Sequence, residues 1–277
     1  MSLEYLPGIE PGQKIDLSQF DKFKKGPELE KYLPFLKDEL FKLSLDANTE
    51  FANFLYKDCR ICLEGEEAAN DSSLIAAQED SFSREAGKNL DTWRRDTEKN
   101  PVNLTEIALT IMLAKFLKND FIVARASSYD DYNHGVDSVL IYKKTGEVVC
   151  GFDEVIGNQG DDGGQKKAKK IENIMSKGGA RLKYGAKMLD GQLVRSEVKN
   201  IPAFYMSLSK VELGELLESL KNNPDITGAL EEKIFTKLIN SLEDQAAKQN
   251  LNKNLQIKTE LALTRLRACF NTEKLAA

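Results

Sequence analysis

The stretch NPVNLTEIALTIMLAKFLKND, residues 100–120, constrains the fold more than any other. It predicts a helix of about 15 residues whose apolar side chains run almost all the way round, so it belongs inside a core. Asn103, with Glu106 three residues later, reads as a capping box at its start. A chain of 277 residues is long enough to surround such a helix, either as one large domain or as two small ones. With 41% hydrophobic and 30% charged residues, the composition is that of an ordinary globular protein. The longest apolar runs are too short to span a bilayer. The opening MSLEYLPGIEPG has no basic segment followed by an apolar one, so a cytoplasmic location without a membrane partner is expected.

Around this helix the hydrophobic period changes. Residues 1 to about 25 are punctuated by Gly and Pro and predict an irregular arm. From about 27 to 98 the period is helical, enough for three or four helices. FIVARA, residues 121–126, reads as a buried strand. QKKAKKIENIMSK, residues 165–177, reads as a helix after a Gly/Asp-rich loop. LKYGAKMLDGQLVRSEV predicts a hairpin turning at Asp190-Gly191. IPAFYMSLS, residues 201–209, is a further buried strand, and Ser209 with Glu212 caps a helix running to about residue 221. Two helical segments follow, about 226–249 and 252–270, the first marked by Leu230, Ile234, Leu238 and Leu242. The expected organisation is a helical region over 1–100, a mixed core over 101–225 and C-terminal helices over 226–277, packed as one composite unit.

Several chemistries are excluded by what the chain lacks. One histidine, His134, rules out every multi-histidine metal site. Cys59 and Cys62 form a lone C-x-x-C in a helical pattern, with no second pair to complete a zinc site. Neither a P-loop nor a dinucleotide-binding glycine motif is present. Carboxylates and lysines are left to carry any reaction.

The hairpin GVDSVLIYKKTGEVVCGFDEV, residues 135–155, supplies those carboxylates. A three-residue turn Lys144-Thr145-Gly146, with Gly146 left-handed, pairs Lys143 with Glu147. The same register then pairs Tyr142 with Val148, Ile141 with Val149, Leu140 with Cys150 and, at the far end, Asp137 with Asp153. Directly opposed like charges repel, since their Cβ atoms lie only about 5 Å apart. A proton, a basic neighbour or a hard divalent cation such as magnesium has to compensate. Under this register Glu154 faces the other side of the sheet and is not a ligand. Asp130 and Asp131 either cap their loop or add to the site.

The order αβββαβ, with one acid at the start of the second strand and another late in the third, resembles the PD-(D/E)XK nuclease superfamily over roughly residues 101–222. The resemblance implies an α/β (α+β) fold: a restriction-endonuclease-like αβββαβ core with helical N- and C-terminal extensions. It also implies a metal-dependent hydrolase acting on DNA. In that family the acids hold Mg2+ or Mn2+, and a lysine two residues after the second acid helps the attacking water. Asp137 and Asp153 match the two acids, and Glu106 matches the additional acid on the preceding helix, which gives Asp137, Asp153 and Glu106 as the metal-binding set. The departure is Asp153-Glu154-Val155, where valine stands in the lysine's place. Some members carry the lysine on the following helix instead. There, Lys167 lies about 50° from the centre of the face formed by Ala168, Ile171, Ile174 and Met175, and Lys166, Lys169 and Lys170 lie farther round. Lys167 is therefore the expected migrated catalytic lysine.

Charge distribution points the same way. Residues 165–187 hold eight Lys or Arg and one acid, on a chain of net charge −5. A basic stretch beside an acidic pair suits a phosphate backbone. Two other functions stay open from the sequence: a binding module that kept the fold and lost its lysine, and a scaffold whose terminal helices bind a protein partner.

Overall fold

A computed structural model describes residues 28–51, 54–157, 162–249 and 251–276. The expected N-terminal arm lies outside the described residues. The fold is mixed α/β, with a small mixed sheet surrounded by helices. A short 3-10 turn leads into α1 (Leu33–Glu50), followed by α2 (Ala68–Glu85), α3 (Leu90–Lys99) and α4 (Pro101–Leu117). Helix α4 is the apolar segment. Its side chains from Ile107 to Ala114 are all buried, and it packs against β1 (Phe121–Arg125) and the sheet behind it.

The helix starts earlier than the capping-box reading placed it. Pro101 holds its first position, where a missing N–H costs nothing, and a residue before proline is driven to extended backbone. Asn100 takes that geometry and accepts from the Val102 N–H at 3.0 Å, so Asn100 is the cap. Asn103 sits inside the first turn, donating to the Glu98 carbonyl.

Beyond β1 the chain inserts a short helix that periodicity did not predict, α5 (Ser128–His134), before β2 (Ser138–Tyr142) and β3 (Glu147–Ile156). Helix α6 (Asp162–Ser176) follows. The hairpin β4 (Ala180–Leu189) and β5 (Gln192–Ile201) comes next, then β6 (Ala203–Leu208). Asp190 and Gly191 both take positive φ at the hairpin tip, as a two-residue turn of this hand requires. The main sheet runs β1-β2-β3-β6, antiparallel across the first two pairs and parallel between β3 and β6.

The register of the β2–β3 hairpin is as expected at its far end and shifted near its turn. Leu140 opposes Cys150 and Ser138 opposes Phe152, but Ile141 opposes Val148 and Tyr142 opposes Glu147. The turn is one residue longer than expected: Gly146, at φ 66°, and Thr145 both donate to the Tyr142 carbonyl. Lys143 therefore leaves the ladder and pairs with Glu50 at 2.6 Å, and a bulge between Leu140 and Ile141 restores the register.

Cys59 closes a turn at φ 61° and Cys62 follows in an irregular segment, so neither lies in a helix. The backbone from Cys59 to Ile61 pairs with Arg125 at the outer edge of β1: the Ile61 N–H donates to Arg125 at 3.0 Å, and the Arg125 N–H to Cys59 at 2.9 Å. Both thiols are free, and burial pushes Cys59 up to about 12.

The chain closes with α7 (Lys210–Asn222), α8 (Ala229–Lys248) and α9 (Lys253–Ala276). Ser209 and Glu212 form the expected reciprocal cap of α7. Helix α8 buries Ile234, Phe235, Leu238 and Leu242 and stacks Phe235 on Phe116 of α4, ring centres 4.4 Å apart. Among the described residues, no helix is long and apolar enough to cross a membrane.

Strand β6 is the other edge of the sheet, and α8 covers it. The Gln245 side chain accepts from the Tyr205 N–H at 3.0 Å and donates to the Tyr205 carbonyl at 2.8 Å, as a neighbouring strand would. Gln245→Ala is expected to cost about 1–3 kcal/mol, because it strips both backbone groups of their partner. Urea denaturation of the two proteins checks this; equal midpoints would show that water replaces the amide at no cost.

Candidate functional site

The candidate site forms where β2 begins, and α5 sets its position. Ser127 caps α5 by accepting from the Asp130 N–H, and Gly135 ends it in the left-handed conformation at φ 64°. Asp130 is fully buried and acts as a clamp, not as a ligand. Its carboxylate accepts from the Lys183 and Tyr184 N–H groups at 2.7 and 3.0 Å and from the Ser127 hydroxyl at 2.7 Å, and it holds His134 Nδ1 at 2.7 Å. Asp131 pairs with Arg60 at 3.1 Å. With α5 so anchored, Asp137 enters the sheet at a fixed point, its N–H donating to the Phe152 carbonyl at 2.8 Å.

Strand alternation then separates the acids. Asp153 and Glu154 are adjacent, so they face opposite sides of β3. Asp153 faces α6, is fully buried, and pairs through one oxygen with Lys167 and through the other with Lys170. Glu154 faces α4 and is equally buried. The Ser138 hydroxyl donates to its Oε1 at 2.5 Å, and the Glu154 carboxyl also interacts with that of Asp137. Asp137, 7% exposed, spans the two sides at the strand end by accepting from the Glu154 N–H at 2.7 Å. Glu106 reaches the same region from α4, where Arg125 donates to it at 3.0 Å. Arg125 also donates to Asn103 at 3.0 Å.

Crowding and burial act on these acids together. Burial, with the charges of Asp137 and Asp131 beside it, raises Glu106 to about 7 against the opposing pull of Arg125 and Arg60. Burial also raises Asp137, helped by Asp131 and opposed by Lys167 and the Glu154 N–H. Glu154 is raised well above the usual carboxylate range by burial and by the charges of Asp137 and Glu106, with the Ser138 hydroxyl opposing. Burial lowers Lys167, against the pull of Asp137 and Glu106. The direct pair with Asp153 also favours its charged form.

Asp137, Asp153 and Lys167 thus share one corner of the molecule, with Glu106 at its α4 side. Among the described residues, no three His, Cys, Asp or Glu side chains converge on one metal position. The donor chemistry still suits a hard cation. Magnesium is commonly held by one or two carboxylates, with water or phosphate completing its shell, and the buried carboxyls of Asp137 and Glu106 lie close enough here for each to raise Glu154. The sequence does not single out Arg125; its expected register sets Glu154 aside as facing the other side of the sheet, and helical angle places Lys170 farther round its helix than Lys167. Lys170 had a readable signal, since three residues after Lys167 places it on the same helix face. Arg125, a charge ending an apolar strand, had another.

No family model, curated protein or solved structure matches the chain.

The raised acids fix the sign of the pH dependence. A carboxyl whose folded pKa exceeds its unfolded value takes up a proton on folding, so its contribution falls as pH rises through the interval between the two. For Glu106 that interval runs from 4.5 to about 7. Stability to urea should therefore be greater near pH 5 than near pH 8, by an amount on the order of 2–3 kcal/mol from Glu106. Glu106→Gln should flatten that slope. A wild-type profile that rises with pH over this range contradicts the assignment.

Proposed function

We propose that the chain is a divalent-metal-dependent nuclease, or a protein derived from one, that acts on DNA phosphodiesters and has the core of the PD-(D/E)XK superfamily. One observation carries the reading: a lysine from α6, Lys167, sits on Asp153 of β3 beside Asp137 at the start of β2. That supplies the ammonium missing at Val155 from a helix rather than from the strand. The order α4-β1-β2-β3-α6-β6 supports it, with α5 and the β4–β5 hairpin as insertions.

Asp137 and Asp153 would hold Mg2+ or Mn2+, with Glu106 as a further donor. When bound, the ion polarises the scissile phosphate and lowers the pKa of a water. Lys167 donates toward the phosphate oxygens and favours the charge that develops on them. Arg125 keeps Glu106 oriented toward the site by its hydrogen bond. Lys166 and Lys169, exposed on α6, offer charge to the DNA backbone outside the site. A cytoplasmic setting fits a DNA substrate.

The second reading is a DNA-binding module without catalysis. Lys167 and Lys170 both pair with Asp153, so the protein itself supplies that carboxylate's counter-charge, and that favours it.

Cleavage assays on linear, nicked and single-stranded DNA with Mg2+ or Mn2+ separate the two. The nuclease reading expects metal-dependent cleavage that Lys167→Ala lowers by about 10²–10³ while leaving the metal-induced rise in melting temperature intact. Asp137→Asn should abolish both. Metal-independent DNA binding with no cleavage of any form would select the binding module. Replacing Lys166 and Lys169 together should weaken DNA binding and reduce its salt slope by about 0.9 for each phosphate that is no longer neutralised.

A further inference from the structure

Lys170 has no part in the mechanism above, yet its position is built. Its ammonium touches Asp153 Oδ2 and donates to the Gly135 carbonyl at 3.2 Å. A Cβ on Gly135 would fall 2.5 Å from Lys170 Cε and closer still to its Nζ. The end of the side chain therefore lies against the Gly135 backbone, at the left-handed turn that ends α5. The two lysines are not equivalent. Lys167 has a side chain 29% exposed and lies among Asp137, Glu106 and Asp131. Lys170 is 41% exposed, and apart from Asp153 it is held by one backbone carbonyl.

Two ammonium groups on one carboxylate repel each other, and each covers one of its oxygens. A divalent ion shared by Asp137 and Asp153 needs one of those oxygens and would repel the nearer ammonium. Lys170 is the more exposed of the two and has fewer other acids around it. We propose that Lys170 is an internal counter-cation, resting on the Gly135 carbonyl, that holds the second oxygen of Asp153 until a divalent cation displaces it. The proposal rests on the metal reading of the site and adds a competitor to it. Removal of Lys170 should leave Lys167 on the other oxygen and open the site to the ion.

Mn2+ binding to wild type and Lys170→Met, followed by the electron paramagnetic resonance of free Mn2+, tests this. If Lys170 holds Asp153 nine-tenths of the time, its removal should tighten Mn2+ by about tenfold. Wild-type binding with an equal or weaker Lys170→Met overturns the counter-cation and leaves the metal site standing. Binding by neither protein overturns the metal reading, and the counter-cation with it. A second measurement uses the wild type alone: acetylation by an N-hydroxysuccinimide ester, read by mass spectrometry with exposed Lys166 as internal reference. Saturating Mn2+ should increase Lys170 labelling relative to Lys166. Unchanged relative labelling in protein that has bound Mn2+ also overturns the proposal.

Discussion

Strand β3 has hydrogen-bonding partners on both edges and a helix against each face, and the rest of the structure is arranged around that fact. A polar side chain on such a strand cannot reach bulk water, so each must find a partner in the protein. The two consecutive acids Asp153 and Glu154 make this requirement acute. Alternation sends one toward α6 and the other toward α4, and each helix brings a different answer. Helix α6 supplies two ammonium groups, while the α4 side supplies a hydroxyl from Ser138 and the Arg125–Glu106 pair.

These two answers differ in kind. An ion pair in a dry interior gains attraction but loses hydration on both partners, so it stabilises little unless its geometry is tight. A carboxyl that keeps its proton avoids most of that loss and needs only hydrogen bonds. The α6 side of β3 uses the first solution and the α4 side the second. The site is therefore asymmetric in charge across one strand. Asp137 stands at the strand end where the two regimes meet, and the Glu154 N–H ties it to the α4 side.

Much of this was legible in the sequence because it follows from period and punctuation. The all-apolar helix, the Asp190-Gly191 turn and the Ser209–Glu212 box each rest on contacts within a few residues. The pairing of Leu140 with Cys150 and of Ser138 with Phe152 survived because the bulge between Leu140 and Ile141 cancelled the error at the turn. What stayed hidden depends on distant partners. Asn103 matched a cap by spacing, but Asn100 before Pro101 competed better, and Glu106 was then left for Arg125, nineteen positions along the chain. Helix α5 carries little apolar periodicity, since Asp130 holds it by bonds to β4, 53 and 54 residues away. The lysines on Asp153 were half visible: helical angle pointed to Lys167, and it undervalued Lys170, whose long side chain reaches back from a more exposed position.

The outer edges of the sheet bear on how the protein behaves in a crowded solution. An open strand edge invites a strand from another molecule, and this is a common route into ordered aggregates. Here β1 is flanked by the Cys59–Ile61 backbone and β6 by the Gln245 amide at Tyr205. A single side chain thus performs on one edge what a length of main chain performs on the other. At the β6 edge a helix that carries one strand-like amide closes the sheet, so the molecule offers neighbouring copies no free strand at Tyr205.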